Sequence, residues 1–173
     1  TVTSVENFTF KGVGTTASAY TLADASVVTS ALQSNTGTID ATGMTGSGGL
    51  TFNGVAENDS ALNITGGRGA DTFIQDFSEL GNDTIKDFNP DVDVIDFKGF
   101  DGEISVSVVD GGTLISAGEG KSLFFEKVTP DQLGASNVSV DGQPLTADTA
   151  LGGILSDFAG DSATVSGTQE DEV

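Results

Sequence analysis

Short runs of alternating apolar and polar residues recur along the chain, separated by turns rich in glycine, asparagine and threonine. In residues 1–56 they centre on Phe8/Phe10, Tyr20/Leu22, Val27/Val28, Ile39 and Leu50/Phe52. Ile39, Phe52 and Ile64 follow one another at intervals of 13 and 12 residues. Alternation with a period of two predicts strands, and runs this short predict many of them. Regular spacing favours the stacked turns of a parallel β-helix, with a sandwich of hairpins as the alternative.

Four segments of the chain differ in composition. Residues 1–56 carry few charges and predict low-charge β-helix coils, whereas residues 57–101 hold eleven acids and predict the charged coils that follow. Residues 102–145 contain strand patterns joined by glycine turns and predict a small antiparallel meander with a helical turn at Pro130. Residues 146–173 contain only a weak apolar stripe and predict a flexible acidic tail. The predicted fold class is therefore all-β, a parallel β-helix or β-roll capped by the meander.

Charge and missing residue types exclude several functions. The chain has 26 acidic against 6 basic residues and a formal net charge of -20. Such a surface repels nucleic acid and anionic membranes and attracts cations. The absence of cysteine and histidine removes the ligands of soft metals and the usual general base, so no enzyme is predicted. No apolar run approaches the length of a membrane helix, and no membrane insertion is predicted.

One stretch, residues 66–74, carries the clearest chemistry, with the sequence Gly-Gly-Arg-Gly-Ala-Asp-Thr-Phe-Ile. Its glycines allow positive φ angles, so backbone carbonyl oxygens can converge on one point while Asp71 adds a carboxylate. Hard cations prefer such a shell of oxygens. The stretch resembles the Gly-Gly-x-Gly-x-Asp-x-apolar-x repeat of the RTX (repeats-in-toxin, hemolysin-type) calcium-binding β-roll of type I-secreted bacterial proteins.

The resemblance implies Ca²⁺ as the cofactor and names its ligands. Two later segments, 83–88 and 93–97, resemble the part that follows the last repeat in such proteins. Acidic residues 59, 71, 83 and 93 are spaced by 12, 12 and 10 residues, and stacked coils are expected to bring their carboxylates together. The implied ligands are the backbone carbonyls of Gly66, Gly67, Arg68 and Gly69, the carboxylates of Asp71, Asp83 and Asp93, and, with a poorer loop before it, Asp59.

The function that follows from the resemblance is structural. We expect a secreted calcium-binding subunit of a bacterial surface layer, filament or extracellular matrix, which folds with calcium and associates head to tail. The threonine-rich and serine-rich coils are loosely similar to those of bacterial surface-layer proteins. The alternative is the C-terminal export and folding module of a larger enzyme or adhesin, passed through a type I exporter. A ligand-binding adhesin is a third class.

Overall fold

A computed structural model describes residues 7–9, 36–42, 49–55, 61–100, 102–118, 120–158 and 165–169. The described part contains thirteen strands, one α-helix, and two 3₁₀ turns at Phe77–Glu79 and Pro130–Gln132. The strands are β1 (Asn7–Thr9), β2 (Thr36–Asp40), β3 (Thr51–Asn53), β4 (Ala61–Thr65), β5 (Thr72–Asp76), β6 (Asp83–Ile85), β7 (Val94–Lys98), β8 (Gly102–Val109), β9 (Gly112–Ser116), β10 (Ser122–Phe125), β11 (Val138–Val140), β12 (Gln143–Pro144) and β13 (Val165–Gln169). The helix is α1 (Ala150–Asp157).

Two sheets share these strands. The large sheet has the order β1-β2-β4-β6-β10-β9-β8-β13 and the small sheet has the order β12-β11-β7-β5-β3. From β2 to β7 the chain alternates between the sheets, so each strand pairs in parallel with the next but one along the chain. Consecutive strands therefore lie in different sheets, which positions the residues of the candidate site.

The predicted all-β fold, a parallel β-helix or β-roll with a separate cap, is wrong. Both sheets mix parallel and antiparallel pairs, and an α-helix packs beside them. Strands β8, β9 and β10 do run antiparallel, but β10 also pairs in parallel with β6 and so continues the large sheet. The reversal from β8 to β9 occurs at Asp110 and Gly111, whose φ angles are 48° and 77°. Left-handed backbone at both positions makes a tight hairpin, which replaces the longer crossover that a parallel strand needs.

The core lies between the sheets. In the large sheet, buried apolar side chains are aligned across neighbouring strands at positions 39, 64, 85 and 125. In the small sheet, buried apolar side chains are aligned at positions 52, 73, 95 and 138. Phe88 connects the two sets, because its ring centroid lies 6.0 Å from that of Phe73 and 5.2 Å from that of Phe125. Alternation along each strand thus places one face in this shared core, as the period of two predicts.

Helix α1 lies within the predicted flexible tail of residues 146–173, and that prediction is wrong for Ala150–Asp157. The helix begins after Thr149, whose Oγ1 accepts a hydrogen bond from Gly152 N at 3.1 Å. It packs against β8 and β13 and buries Leu151, Ile154 and Leu155. Burial of these side chains stabilises a helix that would be marginal alone at this length.

The short turn predicted at Pro130 is confirmed. Thr129 precedes it, and Thr129 N donates a hydrogen bond to Gln132 Oε1 at 2.9 Å, as in a capping box. Among the described residues no helix combines the length and the apolar character needed to span a membrane.

Candidate metal site

A glycine loop, defined as residues 66–69, leaves strand β4 and leads toward β5. Gly67 and Gly69 have φ angles of 89° and 128°, which glycine adopts at low cost. A Cβ atom at Gly66 would lie 2.0 Å from Asp71 Oδ2, so a larger residue there would collide with that carboxylate. Arg68 is exposed. The sequence thus requires glycine where the loop approaches Asp71.

Asp71 lies immediately before β5 and is 1 % exposed. Its Oδ1 accepts a hydrogen bond from Leu50 N at 2.7 Å. Its Oδ2, which faces Gly66, accepts no hydrogen bond from any residue in the described ranges. Among the described residues, the Asp71 side chain is therefore held through Oδ1, while Oδ2 lies against the glycine loop.

Asp93 occupies the equivalent position before β7 and is also buried. Its Oδ1 accepts a hydrogen bond from Asp71 N at 2.8 Å, and its Oδ2 accepts one from Asn89 N at 2.7 Å. Asp71 and Asp93 thus directly precede β5 and β7, which are adjacent strands of the small sheet, and the Asp93 carboxylate contacts the Asp71 backbone. Both oxygens of Asp93 are already engaged by backbone amides.

Asp83 lies apart from these two acids, because it begins β6 in the large sheet. Its Oδ1 accepts a hydrogen bond from Leu62 N at 2.9 Å and its Oδ2 accepts one from Gln75 Nε2 at 3.3 Å. Within the described ranges, no three acidic side chains are close enough to hold one metal ion. The expected convergence of all the predicted carboxylates does not occur there, and Asp59 falls outside the described residues.

Asp87 is a residue of this region that the motif did not indicate. Its Oδ1 and Oδ2 accept hydrogen bonds from Gly66 N and Gly67 N, each at 2.8 Å. A regular spacing of hydrogen bonds could have indicated Asp87. The carboxylates of Asp71, Asp83, Asp87 and Asp93 each accept a hydrogen bond from the backbone amide of a residue 21 or 22 positions earlier in the chain. This offset equals the distance between aligned residues in paired strands such as β3 and β5.

Negative charge accumulates around Asp71. Its pKa is raised to about 6, mainly by burial and also by the charges of Asp93 and Asp87, while the hydrogen bond from Leu50 opposes the shift. Burial also raises the pKa of Asp93, again with a contribution from Asp87. In the described ranges, the basic side chains of the ion pairs are Lys98 and Lys127, whose partners are other acids. In the described ranges, no ion pair with a lysine or arginine therefore compensates the negative charge around Asp71.

The chemistry of these residues fits an oxygen-ligated cation. The buried Asp71 oxygen and the glycine-loop carbonyls are hard donors, which suit Ca²⁺ better than a soft metal. No protein-family model matches the chain, and no curated protein or solved structure matches it. The resemblance of residues 66–74 to the RTX repeat is therefore an interpretation of the sequence.

Proposed function

We propose that the chain is a calcium-binding structural protein that acts outside the bacterial cell, as a subunit of a surface layer, filament or matrix. The observation that carries the proposal is Asp71, a buried carboxylate whose Oδ2 lies against a glycine loop without a hydrogen bond from the described residues, with two further negative charges beside it. A divalent cation at this point would relieve the cost of keeping the carboxylate ionised. The ligands would be Asp71 and carbonyl oxygens of residues 66–69.

The small number of charged ligands argues for an extracellular setting. Sites with few carboxylates bind Ca²⁺ weakly, and extracellular modules work at dissociation constants of about 10⁻⁴–10⁻³ M. Of Asp71, Asp87 and Asp93, Asp71 alone has a carboxylate oxygen that accepts no hydrogen bond from the described residues. One charged ligand is therefore expected, and with it weak calcium binding of this kind. Such a site would fill where calcium is abundant.

Calcium also offers a route to assembly. A formal net charge of -20 opposes contact between copies of the chain, and bound cations reduce that repulsion. Calcium binding would stabilise the folded chain and lower its negative charge together, so that folding and head-to-tail association proceed in the same conditions.

The test is a calcium titration of chelator-treated protein. Thermal unfolding followed by circular dichroism should show a melting temperature that rises with calcium concentration, because the ion binds only the folded state. Equal magnesium is the control, since its strict octahedral preference suits a loop of carbonyls poorly. Light scattering on the same samples reports association. A melting temperature that is the same in chelator and in millimolar calcium would refute the proposal, and a monomer at every calcium concentration would refute the assembly step.

A further inference from the structure

Asp87, which lies shortly after strand β6, binds the glycine loop through its carboxylate. Its two carboxylate oxygens accept the amide protons of Gly66 and Gly67, both at 2.8 Å. Successive backbone amides that converge on an anion form a recurrent anion-binding geometry in proteins. The anion here is a side chain 20 to 21 residues away, so the loop is fixed from outside itself.

The opposite side of the loop is confined by the preceding strand. A Cβ atom at Gly67 would lie 2.4 Å from Ala41 O, so the Gly67 backbone approaches Ala41 closely. Ala41 N in turn donates to Thr65 O at 2.9 Å. The loop therefore lies between Ala41 on one side and Asp87 on the other. This confinement matters because free glycines sample many conformations, and ordering them costs conformational entropy.

The two acids nearest the loop have different hydrogen bonds. Both oxygens of Asp87 accept hydrogen bonds from backbone amides, whereas Asp71 accepts one through Oδ1 and, within the described part of the chain, none through Oδ2, which lies beside Gly66. We propose that Asp87 is the positioning residue of this site, which presets the loop and adds negative charge, while Asp71 supplies the coordinating carboxylate. The calcium part of this inference rests on the proposed function, but the clamp on residues 66 and 67 is independent of the ion.

Amide hydrogen exchange in the calcium-free full chain tests the clamp directly. Asp87→Asn should accelerate exchange at Gly66 and Gly67 at least tenfold, because both amides lose a hydrogen bond to a charged acceptor, which is stronger than one to a neutral acceptor. Asp83→Asn is the matched control. It removes the same kind of acceptor from Leu62 N and should accelerate exchange at Leu62 while leaving Gly66 and Gly67 protected.

Calorimetric calcium titration then separates positioning from general stability. Asp87→Asn should weaken calcium binding at least tenfold while the Leu62 amide stays protected, which a loss of overall stability would not produce. Unchanged exchange at Gly66 and Gly67 in this variant would overturn the clamp, and unchanged calcium affinity would overturn the positioning role.

Two further outcomes also decide the inference. If Asp87→Asn does not fold, exchange in the wild-type protein is decisive: slow exchange at Gly66 and Gly67 supports the clamp and unprotected rates overturn it. A wild-type chain that binds no calcium refutes the proposed function and the positioning role, but the exchange result still establishes or overturns the clamp.

Discussion

Replacing Asp71 with asparagine separates the cost of its charge from the value of its hydrogen bond. Asparagine retains an oxygen that can accept the Leu50 amide, which is 2.7 Å from Asp71 Oδ1, and removes the negative charge. In the wild-type protein burial raises the pKa of Asp71 from 3.8 to about 6, and Asp93 and Asp87 add to the effect. The substitution should therefore stabilise the calcium-free protein at neutral pH.

The magnitude follows from the pKa shift. Each pKa unit corresponds to about 1.4 kcal/mol, so ionised Asp71 costs the folded protein about 3 kcal/mol relative to the unfolded chain. Above pH 6 the wild-type protein bears this cost and Asp71→Asn does not. For a chain of this size about 1 kcal/mol shifts the melting temperature by about 2–4 °C, so the variant should melt about 6–12 °C higher.

The pH dependence of the wild-type protein gives an independent check of sign. The raised pKa of Asp71 means that the folded state binds a proton between about pH 6 and the unfolded value of 3.8, where the unfolded chain does not. Stability should therefore rise as pH falls from about 7 to about 5, by about 1 kcal/mol from this residue. Asp93, whose pKa is also raised, acts in the same direction and should remain in Asp71→Asn.

Thermal unfolding in chelator at about pH 7.5 and about pH 5 measures both effects. Asp110→Asn is the control, since Asp110 is exposed and its φ of 48° suits asparagine, so a change below about 0.5 kcal/mol is expected. Added calcium should raise the melting temperature of the wild-type protein and leave that of Asp71→Asn unchanged. A variant less stable than wild type at pH 7.5 in chelator would show that the Asp71 charge is stabilising and that this reasoning fails.

Two further substitutions test the glycine loop and helix α1. Gly66→Ala places a Cβ atom 2.0 Å from Asp71 Oδ2 and should lower both the stability and the calcium affinity. Gly134→Ala is the control, because no atom lies within 4 Å of its added carbon, and it should change neither quantity. Equal effects of the two substitutions would contradict the steric argument. Leu151→Ala removes a side chain with 0 % exposure and should cost about 2–5 kcal/mol of unfolding free energy in a denaturant titration. Ser156→Ala, on the exposed side of the same helix, should be near neutral, and an equally mild Leu151→Ala would mean that α1 is not anchored.

Local patterning accounts for most of the strands, but not for their partners. Alternation of apolar and polar residues marks β4 and β7, and the burial of every second side chain agrees with it. The partners are set by contacts about twenty residues apart and by Phe88, which packs against both sheets. A pattern with a period of two is the same in a strand with parallel neighbours and in one with antiparallel neighbours.

Helix α1 was missed because its own sequence favours it weakly. Gly152 and Gly153 lie inside it, and each costs about 1 kcal/mol relative to alanine in a helix interior. The residues that compensate are apolar side chains that become buried only when β8 and β13 are in place. Tertiary burial thus outweighs intrinsic propensity in this segment, which local sequence alone does not reveal.

The candidate site shows how alternation between two sheets changes the meaning of sequence spacing. Asp71 and Asp83 are 12 residues apart, which is one crossing between the sheets, so they belong to strands that face each other across the core. Asp93 is 22 residues after Asp71, which is two crossings, and its carboxylate accepts the Asp71 amide proton. The same double step leads from Gly66 to Asp87. In a chain that alternates in this way, an acid that contacts a glycine loop is expected about 21 residues after the loop, which is two crossings between the sheets. That rule identifies Asp87, which the repeat motif does not include.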